Sequence, residues 1–227
     1  LYLDTTDVDD MTGVFQGASL FNQELGAFGS WDTERVTTMD SMFLGASAFN
    51  NGGAAFGLNT SLVAVMSQMF RNAVAFNQPL SIDTSSVTDM EYMFTGASLF
   101  DQPVDFDVGS VRIISHMFWG ASVFNRPLLF DLSENYGMKE MFRDTQNFDQ
   151  SVDFDTSRVN TMIGVFREAW VFNQPLLWDT GSVTTMRSMF LCTVAQGFNQ
   201  PLTWDTSLVT DMEQMFDGAS ALSDCNK

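Results

Sequence analysis

The sequence predicts an α/β repeat solenoid: about nine strand–turn–short-helix coils stacked so that a parallel sheet runs along one face. Three observations predict it. A Met-Phe pair or a close equivalent recurs throughout, its phenylalanine falling at Phe15, Phe43, Phe70, Phe94, Phe118, Phe142, Phe166, Phe190 and Phe216, with spacings of 28, 27, 24, 24, 24, 24, 24 and 26. Between these pairs lie short stretches that alternate apolar and polar residues, such as Pro79-Leu80-Ser81-Ile82-Asp83 and Pro201-Leu202-Thr203-Trp204-Asp205, which read as strands. Just before each pair, apolar residues such as Val87, Met90, Met93 and Phe94 fall at i, i+3, i+6 and i+7, one face of a two-turn helix. Because each coil of such a stack leans only on its neighbours, residues 1–227 read as a single domain.

Composition agrees. Apolar residues make up 45% of the chain, with Phe 22 and Met 15, against 17% charged, enough for a continuous core and too apolar for disorder. The formal net charge is −18, a field that repels nucleic-acid phosphates and anionic lipid, so neither is an expected partner. Cations or basic surfaces fit better, and solubility alone is the plainer reading of the charge.

The first coil opens on Leu1-Tyr2-Leu3-Asp4-Thr5-Thr6, the counterpart of Leu202-Thr203-Trp204-Asp205-Thr206-Ser207, and runs into the first helical piece over 8–15. The sequence thus begins within a repeat, as a piece of a longer chain would. Insertions at 26–30 and 51–55 lengthen the early coils and are expected as loops at one edge. From Phe70 to Phe190 the period holds at 24. Thr88 with Glu91 and Thr210 with Glu213 have the spacing of a capping box, and Gly96 and Gly218 sit where a helix end takes a left-handed residue. Asn135-Tyr136-Gly137-Met138 and Phe56-Gly57-Leu58-Asn59 break the pattern, so their coils are expected to be irregular.

Cys192 and Cys225 leave two readings, one bridge tying down the C-terminal coil or two thiols too differently placed to meet. No apolar run reaches the roughly 18 residues of a membrane span, so no transmembrane segment is expected in this piece.

The phrase Met-Phe-x-Gly-Ala-x-x-Phe-Asn-Gln-Pro-Leu-x-x-Trp-Asp-Thr-Ser-x-Val-Thr-x-Met, carried by residues 93–100, 172–186 and 198–212, resembles the repeat of the BspA-like leucine-rich-repeat surface proteins, in the type found in mycoplasma lipoproteins and marine protists. The resemblance covers essentially the whole chain. It implies a leucine-rich-repeat-like stack, an extracellular or cell-surface location, and adhesion or interaction with a protein or glycan rather than catalysis.

An acidic row follows the strands at Asp4, Asp32, Asn59, Asp83, Asp107, Asp131, Asp155, Asp179 and Asp205. Stacked carboxylates repel, so something must compensate. Either each accepts hydrogen bonds from its own following turn, which Asn59 in the same slot favours, or adjacent coils coordinate calcium through Asp83, Asp107, Asp131, Asp155, Asp179 and Asp205. A second row, Asn22, Asn50, Asn77, Asp101, Asn125, Asp149, Asn173 and Asn199, reads as a structural ladder satisfying the neighbouring coil's backbone, with the adjacent glutamines exposed. Thr84, Thr156, Thr180 and Thr206 read as turn formers.

The strands' outward residues Ser81, Asp105, Leu129, Asp153, Leu177 and Thr203 form the expected ligand face, a mixed apolar and acidic strip. No catalytic constellation emerges. His116 is the sole histidine and reads as a surface residue, and carboxylates recur in every coil rather than forming one unique pair. The function expected is a non-enzymatic interaction scaffold without a cofactor. The alternative is an assembly subunit, self-associating into a filament or matrix with or without calcium.

Overall fold

The computed structural model describes residues 3–25, 31–193 and 197–222. The coils stack in register as expected, but their backbone is neither α-helix nor β-sheet. Among the described residues the only helical element is a three-residue 3-10 turn at Asn51–Gly53, and strand pairing is confined to isolated parallel bridges. The α/β solenoid with a parallel sheet is therefore overturned.

The reason lies in the sign of φ. Inside each segment read as a helix one residue is left-handed, and a second, four positions on, follows just after it: Ser41 and Gly45, Gln68 and Asn72, Tyr92 and Gly96, His116 and Gly120, Glu140 and Asp144, Gly164 and Glu168. An α-helix cannot hold such residues, because all its φ angles are negative. The backbone instead runs through successive tight turns. Met42, Leu44 and Ala46 donate their N–H groups three residues back to Met39, Ser41 and Phe43, while the intervening Ser41, Phe43 and Gly45 donate to Ser67, Met69 and Arg71 of the next coil. Half of the N–H groups thus close the turn and half stitch coil to coil. A two-turn helix in isolation is marginal, whereas this arrangement bonds both sets and still points Val, Met and Phe inward.

The bridges mark the register: Asp10 to Thr38 to Val65 to Asp89 to Ile113, and Gly137 to Thr161 to Thr185 to Asp211. Among the described residues none joins Ile113 to Gly137, the step at which Asn135-Tyr136-Gly137-Met138 departs from the pattern. There Asn135 is fully buried, accepts from the Gly137 N–H at 2.9 Å and donates to the Arg112 carbonyl at 3.3 Å.

The segments read as strands are extended and alternate inward and outward, but they do not form a ladder. The exception is the atypical Phe56 coil, where Phe56 bridges Leu80. Ring packing points the same way. Phe15, Phe43, Phe70, Phe94, Phe118, Phe142, Phe166, Phe190 and Phe216 stack at centroid spacings of 5.3–5.9 Å. The column from Phe21 to Phe198 stacks at 5.8–6.2 Å. On the extended side Phe130, Phe154, Trp178 and Trp204 are spaced at 6.1–6.5 Å. That is wider than the roughly 4.8 Å between paired strands, and the spacing grows from the bonded edge to the open one.

Side chains replace the missing ladder. Thr5, Thr33, Thr60, Thr84, Thr156 and Thr180 are buried, and each hydroxyl donates to a carbonyl of the next coil at 2.7–2.9 Å. They are inter-coil ties, not merely turn formers. The Trp178 and Trp204 indoles donate back to the Val152 and Leu176 carbonyls at 2.7 and 3.1 Å. Unpaired backbone groups are costly when buried, and these two indoles satisfy one carbonyl each.

Candidate functional site

The extended segments place Ser81, Asp105, Leu129, Asp153, Leu177 and Thr203 outward in one row, all exposed. Their neighbours Val104, Phe106, Leu128, Phe130, Val152, Phe154, Leu176 and Trp178 are buried, so the inside and outside of these segments are as the alternation predicts. Leu129, between Asp105 and Asp153 in the row, is 91% exposed, and Leu177, between Asp153 and Thr203, is 83% exposed. Beside Leu129 lies a depression of about 200 Å³ lined by Pro127, Leu128, Phe130, Gln150, Ser151 and Asp153. It falls where Ser151 takes the place held by Pro79, Pro103, Pro127, Pro175 and Pro201 in other coils. The Ser151 hydroxyl donates to Asp153 Oδ2 at 2.9 Å and so orients that carboxylate.

The acidic row borders this strip. Asp83, Asp107, Asp131, Asp155, Asp179 and Asp205 are exposed, and each Oδ1 accepts the N–H of the residue two positions on, at 2.9–3.1 Å. These are Asx turns. Hydrogen bonds from Ser85 and Ser157, side chain first and then backbone, hold Asp83 and Asp155 below the usual carboxylate range. Backbone and side-chain bonds from Ser133 and Ser207 do the same for Asp131 and Asp205. Among the described residues no three His, Cys, Asp or Glu side chains gather into a group able to hold a metal ion. No helix among them is long and apolar enough to cross a membrane.

On the other flank the Asn/Asp row forms a continuous ladder. The N–H groups of Asn50, Asn77, Asp101, Asn125, Asp149, Asn173 and Asn199 each donate to the side-chain oxygen of the preceding member at 2.8–3.0 Å. Only the oxygen is used in these bonds, which is why Asp101 and Asp149 serve as well as asparagine. The neighbouring side chains are clamps rather than free amides. Gln102, Gln150 and Gln174 donate to the ladder oxygens of Asn77, Asn125 and Asp149 at 2.9 Å, and Arg126 pairs with Asp101 at 2.7 Å.

His116 is not a surface residue. It is 4% exposed, adopts φ 63 and stacks on Tyr92 at 4.2 Å between ring centroids. Its Nδ1 lies 3.5 Å from Glu91 and its Nε2 3.7 Å from Glu140, too far for good hydrogen bonds, and Nδ1 has no partner. Burial pushes its pKa down to about 4 against the opposing pull of Glu140, so the ring is neutral near pH 7. Arg71 lies over Tyr92 at 4.9 Å and Arg143 over Trp119 at 4.5 Å, completing a cluster that breaks the repetition. The sequence signal was its company: aromatic and charged residues fill a slot held elsewhere by Ser41, Gly164 and Ser188.

Cys192 is exposed, while Cys225, the insertion at 26–30 and Tyr2 lie outside the described residues, so the pairing of the two cysteines does too.

Comparison with curated proteins finds no match, and comparison with solved structures finds none either. A family model described as "Mycoplasma protein of unknown function, DUF285" matches residues 2–82, 56–153 and 136–227, three overlapping stretches that together span nearly the whole chain. The repeats, the ladders they build and this match agree: the chain belongs to the DUF285 family of repeat proteins.

Proposed function

We propose that this protein is a non-enzymatic interaction scaffold of a cell surface or extracellular space, binding a protein or glycan through the outward row of its extended segments. The observation that carries this reading is the exposure of Leu129 and Leu177, 91% and 83%, in a row whose other members are polar or acidic. Leaving two leucines in water gains nothing for a monomer, and two apolar side chains set in a polar row suit a docking surface. The likeness of the repeat phrase to that of the BspA-like surface proteins supports the location and the adhesive role. Repetition of every carboxylate motif weighs against one privileged catalytic pair.

The test is adhesion of protein-coated beads to cultured cells, with wild type compared to a Leu129→Asp/Leu177→Asp double variant. Both side chains lie in solvent, so the thermal midpoint should stay unchanged while adhesion falls at least tenfold. Pretreating the cells with protease or with glycosidase separates a protein ligand from a glycan. Equal adhesion by variant and wild type removes the reading.

A further inference from the structure

Resting on that reading, we infer that the depression beside Leu129 receives a lysine or arginine side chain from a basic polypeptide segment laid along the row. Its floor is apolar, Leu128 and Phe130, with Pro127 and the exposed Leu129 at its edge. Asp153 stands at its rim, held there by Ser151. An apolar side from one coil, facing Gln150, Ser151 and one oriented carboxylate from the next, matches a side chain with an aliphatic stem and a cationic head, which keeps its stem on apolar surface and its charge toward solvent.

Charge complementarity selects the occupant. Asp105 and Asp153 in the row, and the acidic row beside it, have no lysine or arginine partner among the described residues. With a formal net charge of −18, the molecule attracts basic segments and repels acidic ones. A neutral glycan would leave the carboxylates uncompensated, and an acidic glycan would be repelled. A simple cation would make no use of the leucines. Leu177, two coils further on, offers a second apolar contact, but there Pro201 of the following coil takes the place that Ser151 has beside Leu129.

The experiment uses fluorescence anisotropy with a labelled peptide alternating lysine and valine, and its glutamate counterpart, at two salt concentrations. Ser151→Pro fills the depression with the residue other coils already carry and leaves the charge intact. Asp153→Asn removes the charge and leaves the shape. Asp9→Asn, an exposed carboxylate in the first coil, controls for net charge. The lysine peptide should bind and weaken with salt, the glutamate peptide should not, and Ser151→Pro and Asp153→Asn should each weaken binding tenfold or more while Asp9→Asn does not. No binding of the lysine peptide, or equal binding by wild type and Ser151→Pro, overturns the inference. If the Leu129→Asp/Leu177→Asp variant still loses cell adhesion in that case, the scaffold reading stands alone. If adhesion also persists, both fall.

Discussion

Asn77 accepts the backbone N–H of Asp101 on its side-chain oxygen at 2.9 Å, and the same oxygen accepts Gln102 Nε2 at 2.9 Å. One amide thus joins two coils across a stretch where no backbone ladder forms.

Asn77→Leu should therefore destabilise by about 1–3 kcal/mol, the cost of stranding half-buried donors, whereas Asn77→Asp should stay close to wild type because it keeps the accepting oxygen. Chemical denaturation of both variants checks this. Equal losses would mean that the amide nitrogen, not the oxygen, holds the ladder.

Gly164 separates left-handed turns from helix by the sign of the effect. It sits at φ 59, and an added Cβ would meet the flexible Glu140 side chain at 3.0 Å. In a helix Gly→Ala would stabilise by about 1 kcal/mol; here Gly164→Ala should destabilise by roughly 1–2 kcal/mol, the left-handed penalty. Far-ultraviolet circular dichroism should likewise lack the α-helical double minimum. A gain in stability would restore the helix.

Trp178 tests the core. It is 5% exposed, packs between Phe154 and Trp204 and donates to Val152. Trp178→Ala should cost about 3–5 kcal/mol through the cavity it leaves. Thr203→Ala, on the exposed row, should stay within about 0.5 kcal/mol. Comparable losses would reverse the inner and outer faces.

His116 predicts an acid-side slope. Its folded pKa of about 4 lies below the ordinary 6.5, so the unfolded chain binds a proton first. Its contribution to stability is therefore level above about pH 6.5, declines as pH falls toward 4, and levels off below that, a total of about 3 kcal/mol at most at 1.36 kcal/mol per unit. Glu91, Glu140, Lys139, Arg143 and Arg71 surround the ring and shape this slope. His116→Asn, which tolerates the left-handed backbone, should flatten it. The turn aspartates, with lowered pKa values, lose their contribution only as pH falls through those lower values, so that part of the acid limb should remain. An unchanged slope between pH 6.5 and 4 would show that His116 does not set it.

Period, register and the inward or outward sense of most side chains were legible in the residues alone, as were the Asn/Asp ladder and the Asx turns, because each depends on residue type at a repeated position. The threonine ties carried an unused signal: Val108 and Leu132 occupy their slot, which marks it as buried. Backbone class was not legible, since Val, Met, Met and Phe at intervals of three, three and one fit one helix face and a run of left-handed turns equally well. Glycines at Gly13, Gly17 and Gly164, inside or just after the supposed helices, were the local hint.

The sequence by itself determined which side chains meet in each column, because repetition places like over like. Only the tertiary structure decided the sign of φ, the burial of His116 and the opening beside Leu129. Each of those depends on bonds and contacts with the neighbouring coil, and no single repeat contains that neighbour.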